Sequence, residues 1–397
     1  MACWARGEPG PEGELRVLRF LFPVVSLLVA GLSIVVELSP REAGSRVCLY
    51  GGCRYDQTFY TRATPENAAA LLNEAPADPT IWCTYGEFFS AHGQADKAQA
   101  AFDRALILGS GVSSVLMRVA NFDFTHERTK EGLRLAGQIL TQTNGFDGIL
   151  FSYMGISGEP VSRLLGTAIP ATPRAAASWM GWVRSRGSER DILDTWAWMR
   201  KNGLADEQSA ADTAASLWQR KAYRDAQELW ADWLGERRGD YLHPQLLTNT
   251  RSQESLSGSP FDWSLTPNKS VEFSRDDGLE VRFLGQENIS AAGAQRFTAI
   301  RPGRYRFSAE VSADNLTTDE GVFFQITDAE NAARLSVETP ALLGKRSRSW
   351  IHADFVVPGG MQAVQIKLAR RPSLKFDDKI AGTLHIYRVS LVPSPQS

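Results

Sequence analysis

The spacing of hydrophobic residues changes once along this chain. Up to residue 240, apolar side chains recur at three- and four-residue intervals; beyond "GERRGDYLHPQLLTNT" they alternate at every second position. A helix buries one stripe every 3.6 residues and a strand turns successive side chains to opposite faces, so the two halves demand different secondary structures. In the later half, "RYRFSAEV" sets Tyr305, Phe307, Ala309 and Val311 against Arg304, Arg306, Ser308 and Glu310. "VFFQIT" and "AVQIKLA" alternate likewise between Gly and Pro breaks. About eight such strands with no intervening helix predict an antiparallel β-sandwich or jelly roll over 248–397.

The earlier half carries an internal repeat. In "DPTIWCTYGEFFSAHGQADKAQAAFDRALILG", Trp82, Tyr85, Gly86 and Phe89 fall on one helix and Ala98, Phe102 and Ala105 on the next, with His92-Gly93 at the turn. Small residues stand where two antiparallel helices must approach. A slide of about 34 residues brings Leu116, Val119 and Ala120, then Gly132, Ala136 and Ile139, to the same places. Two later units pair Trp179, Met180 and Val183 with Ile192, Trp196 and Met199, and Ala214 and Leu217 with Ala226, Trp230 and Trp233. Asp147 to Thr172 holds a shortened unit, and a lone helix is expected from Thr64 as N-cap with Pro65 in its first turn. The pattern resembles the tetratricopeptide repeat, W-x2-L-G-x2-Y and A-x3-F, with Tyr85 in the Leu place and Phe89 in the Tyr place. The resemblance implies about five stacked helical units over 64–240, contacting a protein partner through their concave side. Tryptophans 179, 196, 218, 230 and 233 read as core. Trp198, off the face of Trp196, is the candidate for partner contact.

At 397 residues and 43% hydrophobic content the chain can bury large cores, and its length suits two or three folded units. The balance of 43 Lys+Arg against 45 Asp+Glu leaves a charge of −2, so there is no basic excess to argue for nucleic acid. From Phe20 to Val36 the chain reads "FLFPVVSLLVAGLSIVV" without a charge, close to the ~20 residues that span a bilayer. A transmembrane helix is therefore expected over 20–38. Arg16 and Arg19 before it assign 1–19 to the cytoplasm under the positive-inside bias, making this a single-pass inner-membrane protein with its bulk in the periplasm. A cleaved signal peptide is the rival, but no small-x-small site follows "SIVVELSPRE". Residues 39–63 form a linker in which Cys48 and Cys53 flank "LYGG"; a turn there brings them within disulfide reach, two unpaired thiols being the alternative. No His or second Cys pair stands nearby to make a metal site.

In the strand half, "FDWSL", "GLEVRFLG", "AQRFTAIRPGRYRFSAEVSAD", "RSWIHADFVVP" and "GTLHIYRVSLVP" follow in order. This sequence of signals resembles the carbohydrate-binding-module-like jelly rolls of bacterial envelope and secreted proteins, with Pro302-Gly303 and Tyr305 as the best match. Two departures stand out. Where members of that family end in D-D-V-S-L, this chain has Tyr387 and Arg388 in the places of the two carboxylates, and "NTRSQES" replaces their N-x-x-F-E opening. A hard cation needs several oxygen ligands, so no calcium is expected there. Trp263, alternating with Phe261 and Leu265, reads as core. Trp350 and His352, which alternate away from Ile351, Ala353 and Phe355, and Gln325 and Gln365 on facing strands, are the ligand candidates.

Arrangements that a reaction needs are missing from the sequence. There is no G-x-S-x-G elbow, H-E-x-x-H helix or glycine-rich phosphate loop, and the histidines at 92, 126, 243, 352 and 385 lack ligand spacing. Asp276-Asp277 and Asp377-Asp378 are adjacent pairs in expected turns. The expectation is a non-enzymatic, cofactor-free membrane-anchored scaffold: the repeats recruit a protein and the sandwich contacts glycan, in the setting of exopolysaccharide assembly or export. A sandwich that binds protein instead of sugar, and a glycan-active enzyme with an unrecognised carboxylate pair, are the alternatives.

Overall fold

The computed structural model describes residues 46–49, 52–55, 72–73, 75–376 and 378–394. The stretch expected to cross a membrane, 20–38, lies outside the described residues, as does the start of the helix expected at Thr64. The single-pass inner-membrane placement is corrected here. Among the described residues no helix is long and apolar enough to cross a membrane; the longest, Ala95–Gly109, has 15 residues and carries Asp, Lys and Arg. Near the start, β1 (Arg46–Leu49) and β2 (Gly52–Tyr55) pair antiparallel in a register that sets Cys48 opposite Cys53.

The chain divides into two compact units, 1–126 and 127–397. In the first, α1 (Pro79–Ala91), α2 (Ala95–Gly109) and α3 (Ser113–Thr125) form the helices. Asp78 caps α1 by accepting from the Thr80 amide at 2.8 Å, and Pro79 occupies the first turn, where a missing N–H costs nothing. The chain reverses at Gly93, whose φ of +69° suits a residue without Cβ. Gly86 lets the two helices close: a Cβ there would stand 2.9 Å from the Phe102 ring. Ile81, Cys83, Phe102, Leu116 and Val119 are buried. Arg118 grips both carboxylate oxygens of Glu87 at 2.6 Å, joining α3 to α1. The starts of α1 and α3 stand 34 residues apart, as do those of α7 and α9 below.

The second unit begins with α4 (Thr129–Gln142), α5 (Asp147–Ile156), the single turn α6 (Val161–Leu164), α7 (Pro173–Arg186), α8 (Glu189–Lys201), α9 (Glu207–Gln219) and α10 (Tyr223–Leu234). Reciprocal side-chain and backbone bonds of Ser188 with Asp191, and of Asp206 with Ser209, satisfy the first amides of α8 and α9. Trp179, Trp196 and Trp230 are buried along these helices. Trp218 is instead half-buried, its ring edge-on to Phe261 and 5.5 Å from Phe297, both residues of the β half.

That half is a sandwich of two five-stranded antiparallel sheets. One, in spatial order β10, β7, β12, β5, β4, contains β10 (Gly344–Val357), β7 (Gly303–Leu316), β12 (Ala381–Pro393), β5 (Leu279–Leu284) and β4 (Val271–Ser274). The other runs β3 (Ser264–Leu265), β6 (Ala291–Ala299), β11 (Ala363–Arg370), β8 (Val322–Asp328), β9 (Ser336–Glu338). Alternation places Phe307, Ala309 and Val311 of β7 and Phe324 and Ile326 of β8 in one shared core, with Trp263 among them. Phe261 does not share that face. It lies in a turn, not a strand, and packs on Trp218.

The second unit spans the expected boundary at 240–248, because the helices are fastened to the sandwich. Gln227 of α10 donates to Thr298 at 2.9 Å, and Tyr223 donates to Glu330 at 2.9 Å. The connecting segment completes the first sheet where β5 stops: the Leu246 amide donates to the Leu391 carbonyl, and the Val389 amide to that of Thr250. Beneath it Arg296, 0% exposed, donates from Nη2 to the carbonyls of Thr248 and Phe261 at 2.7 and 2.6 Å and lies over the Trp263 ring at 5.3 Å. Removing one side of a buried charged contact typically costs about 3–5 kcal/mol. Arg296→Ala is expected to lose stability of that order, measured by denaturant unfolding, with the slope of the transition unchanged. Cys83 offers an independent check on the first unit. Burial pushes its thiol up to about 12, so in native protein at pH 8 it should resist iodoacetamide and become reactive only on denaturation, as mass spectrometry would record.

Candidate functional site

The outer face of the β10–β7–β12 sheet gathers the side chains that alternation turns away from the core. Across three strands the register aligns Trp350 with Glu310 and Glu310 with Arg388; the next row aligns His352, Ser308 and Ser390. Trp350 is 43% exposed, and its ring is nearly parallel to that of His352, 3° apart in plane with centroids at 6.4 Å. His352 Nδ1 and Ser308 Oγ are hydrogen-bonded at 2.9 Å. Arg306 and Asp354 close one end of the face in a two-bond ion pair at 2.7 and 2.8 Å.

A bulge in β12 builds the middle of the face. The pairing with β7 slips between Ile386 and Arg388, so two consecutive residues, Tyr387 and Arg388, sit between core-facing Ile386 and Val389. Tyr387 is hydrogen-bonded to Ser312 at 3.0 Å and lies near-parallel to His385, with centroids 6.1 Å apart. Arg348 covers the Tyr387 ring at 4.0 Å while binding Glu310 through Nε at 2.7 Å and Nη2 at 3.1 Å. The β4–β5 turn comes close enough to support this bulge only because Gly278, at φ +102°, has no Cβ to collide with the Ile386 carbonyl.

One guanidinium binds the Glu310 carboxylate here, and the charges of two others reach it. The bonds from Arg348 hold the Glu310 carboxyl below the usual range, and the charges of Arg388 and Arg251 add to the effect. His385 lies 3.5 Å from Glu280 on the neighbouring strand. Arg388 Nε is buried with no hydrogen-bond partner among the described residues.

The sequence candidates divide between two places. Trp350 and His352 meet on this face. Gln325 and Gln365 lie on the outer side of the other sheet, where Gln325 donates to Ser336 at 3.2 Å and Gln365 to Gln295 at 2.7 Å. The two glutamines do not join Trp350. Trp198 is half-buried, with the chain at Gly166 after α6 beside its indole nitrogen. Cys48 and Cys53 stand opposite each other in the β1–β2 hairpin. Sequence reasoning missed Glu310, Arg348, His385 and Arg251, and read Tyr387 and Arg388 only as lost calcium ligands. One signal was available: the apolar residues Leu384, Ile386, Val389 and Leu391 step by two, three and two, the spacing of a bulge.

No protein-family model matches the chain, and no curated protein matches it by sequence. Solved structures resemble parts of it. A Clostridium thermocellum xylanase 10B fragment comprising CBM22-1 and GH10 modules, complexed with xylohexaose, is 12% identical over 39% of this chain and 29% of that one, with a TM-score of 0.26. A CBM4 structure is 14% identical over 37% of this chain and 99% of its own, with a TM-score of 0.27. The tetratricopeptide-repeat protein YrrB, described with an unusual peptide-binding site, is 16% identical over 43% of this chain and 92% of its own, with a TM-score of 0.25. Less than a third of the xylanase fragment is matched, and none of these likenesses assigns a ligand to this protein.

The Arg348–Glu310 pair makes a sharp test of the face. A depressed carboxyl pKa means the pair is fully formed above the ordinary glutamate range and is lost as pH falls through the lower folded value. In Arg348→Gln the Glu310 titration midpoint should rise toward that of an ordinary glutamate. Carbon-detected NMR titration of the side-chain carboxyls would show it.

Proposed function

We propose that this protein is a non-catalytic scaffold whose sandwich contacts a glycan through the β10–β7–β12 face while its helical repeats engage a protein partner. The observation that carries the glycan reading is Trp350, 43% exposed on the outer sheet face with the His352 ring parallel to it, while Tyr387 and His385 lie near-parallel on β12 of the same face. An exposed indole offers an apolar surface to the C–H face of a sugar ring, and the Ser308, Ser312, His352 and Tyr387 groups beside it exchange hydrogen bonds with hydroxyls. Electrostatics favour binding over chemistry. A general acid needs a raised carboxyl pKa, whereas Glu310 is lowered by Arg348 and Asp354 by Arg306.

A specific feature supports the protein-partner role. Ile149 and Ile156, seven residues apart on α5 and hence on one helical face, are 47% and 80% exposed. Large apolar side chains left in water on one face of a helix mark a contact surface.

The test is calorimetry of the full chain against a panel of bacterial and plant polysaccharides. Trp350→Ala should weaken binding by about tenfold or more, in line with an aromatic anchor worth about 1.5–3 kcal/mol, with circular dichroism unchanged. Trp263→Ala should unfold the sandwich. If no polymer binds, or if Trp350→Ala binds as well as wild type, the glycan reading is wrong.

A further inference from the structure

We infer that the ligand of the β10–β7–β12 face is an acidic polysaccharide, with a sugar carboxylate held by Arg388 and Arg251 beside Trp350. This rests on the glycan reading above and names the class of sugar. The carboxylates of the face already have cations. Glu310 is bound by Arg348, Asp354 by Arg306, and Glu280 is approached by Arg282 at 3.7 Å and His385 at 3.5 Å. Asp277, in the β4–β5 turn, also acts on Arg348. Arg388 and Arg251 form no ion pair among the described residues, and both act on Glu310, which Arg348 has already neutralised. Each of these two guanidiniums is left without a bound carboxylate among the described residues.

The fixed position of Arg388 makes that charge selective. Its backbone place in the bulge is set by the pairing of Glu310 with β12, and its Nε is buried with no hydrogen-bond partner among the described residues. The terminal nitrogens of a guanidinium meet a planar carboxylate through parallel hydrogen bonds, a geometry a hydroxyl does not match. Trp350 and Arg388 lie two strand spacings apart in one cross-strand row, about 10 Å. A polymer crossing the strands stacks one ring on the indole and presents a nearby carboxylate to the arginine. Phosphate backbones are the competing polyanion, and aromatic rings beside cations also suit single-stranded nucleic acid. The hydroxyl and imidazole groups of Ser308, Ser312, His352 and Tyr387 on the same face suit the hydroxyls of a sugar polymer, of which a phosphate backbone offers few.

The experiment uses the full chain with polygalacturonate, alginate and methyl-esterified polygalacturonate, which keeps the backbone and removes the charge. A thymidine oligonucleotide serves as the polyanion control. One of the acidic polymers should bind about tenfold more tightly than the esterified one, from a charge-assisted contact. Arg388→Gln should abolish that preference, and Trp350→Ala should weaken binding of both polymers. Equal binding of acidic and esterified polymers overturns the acidic assignment and leaves the glycan reading standing. Binding of the oligonucleotide as tight as that of the polyuronates shows general polyanion attraction and overturns it. Failure of every polysaccharide to bind overturns both.

Discussion

A fully buried guanidinium holds the second unit together. Taking Arg296 out of water costs several kcal/mol, and burial pulls its pKa down to about 10, so it is still charged at neutral pH. That cost is offset by the carbonyls of Thr248 and Phe261, the Trp263 ring and the nearby charge of Asp262. The two carbonyls belong to the segment that leaves the helices and enters the sandwich, so one side chain of β6 fixes that segment at both ends. Phe261 is thereby presented to Trp218, and Thr250 to the free edge of β12. The other contacts of the junction, Gln227 with Thr298 and Tyr223 with Glu330, need the helices already in place.

The β12 bulge plays the corresponding part on the other sheet. Strict alternation would have put Tyr387 outside and Arg388 in the core, where an unpaired charge is very costly. The extra residue lets both face outward while Val389 and Leu391 return to the core. A local defect in the ladder thus creates a dense polar and aromatic surface without disturbing the apolar layer beneath it. The bulge furnishes the middle of the face: Tyr387 stacks under Arg348, and the charges of Arg388 and Arg251 act on Glu310.

What was legible in the sequence follows from what periodicity encodes. Alternation correctly turned Phe307, Ala309 and Val311 inward and left Trp350 and His352 outside, because strand facing is a local property. Helical spacing likewise placed Gly86 against Phe102. It failed for Gln325 and Gln365, since period two reports a face and not which sheet owns it, and strand order is set by long-range pairing. Phe261 was misread for a related reason. A stretch that alternates in sequence was taken for a strand, but Ser259 to Asp262 forms a turn. Trp218 was read as helical core, yet its ring also meets Phe261 and Phe297, residues far along the chain.

The two sheets consequently do different work. The outer side of β6 is taken up at Phe297 by Trp218, and the edge of that strand by α10, so the second sheet carries the helices. The β10–β7–β12 face has no such neighbour among its described contacts and is left to solvent, with Trp350 and Val356 43% and 58% exposed. A flexible linker between helices and sandwich would let a bound polymer and the last helices reorient independently. Here the connection is itself hydrogen-bonded to β12, the strand that also supplies Tyr387 and Arg388. The face is therefore held at a fixed angle to α9 and α10. Under the function proposed above, the same preorganisation would fix a seated polymer relative to those helices.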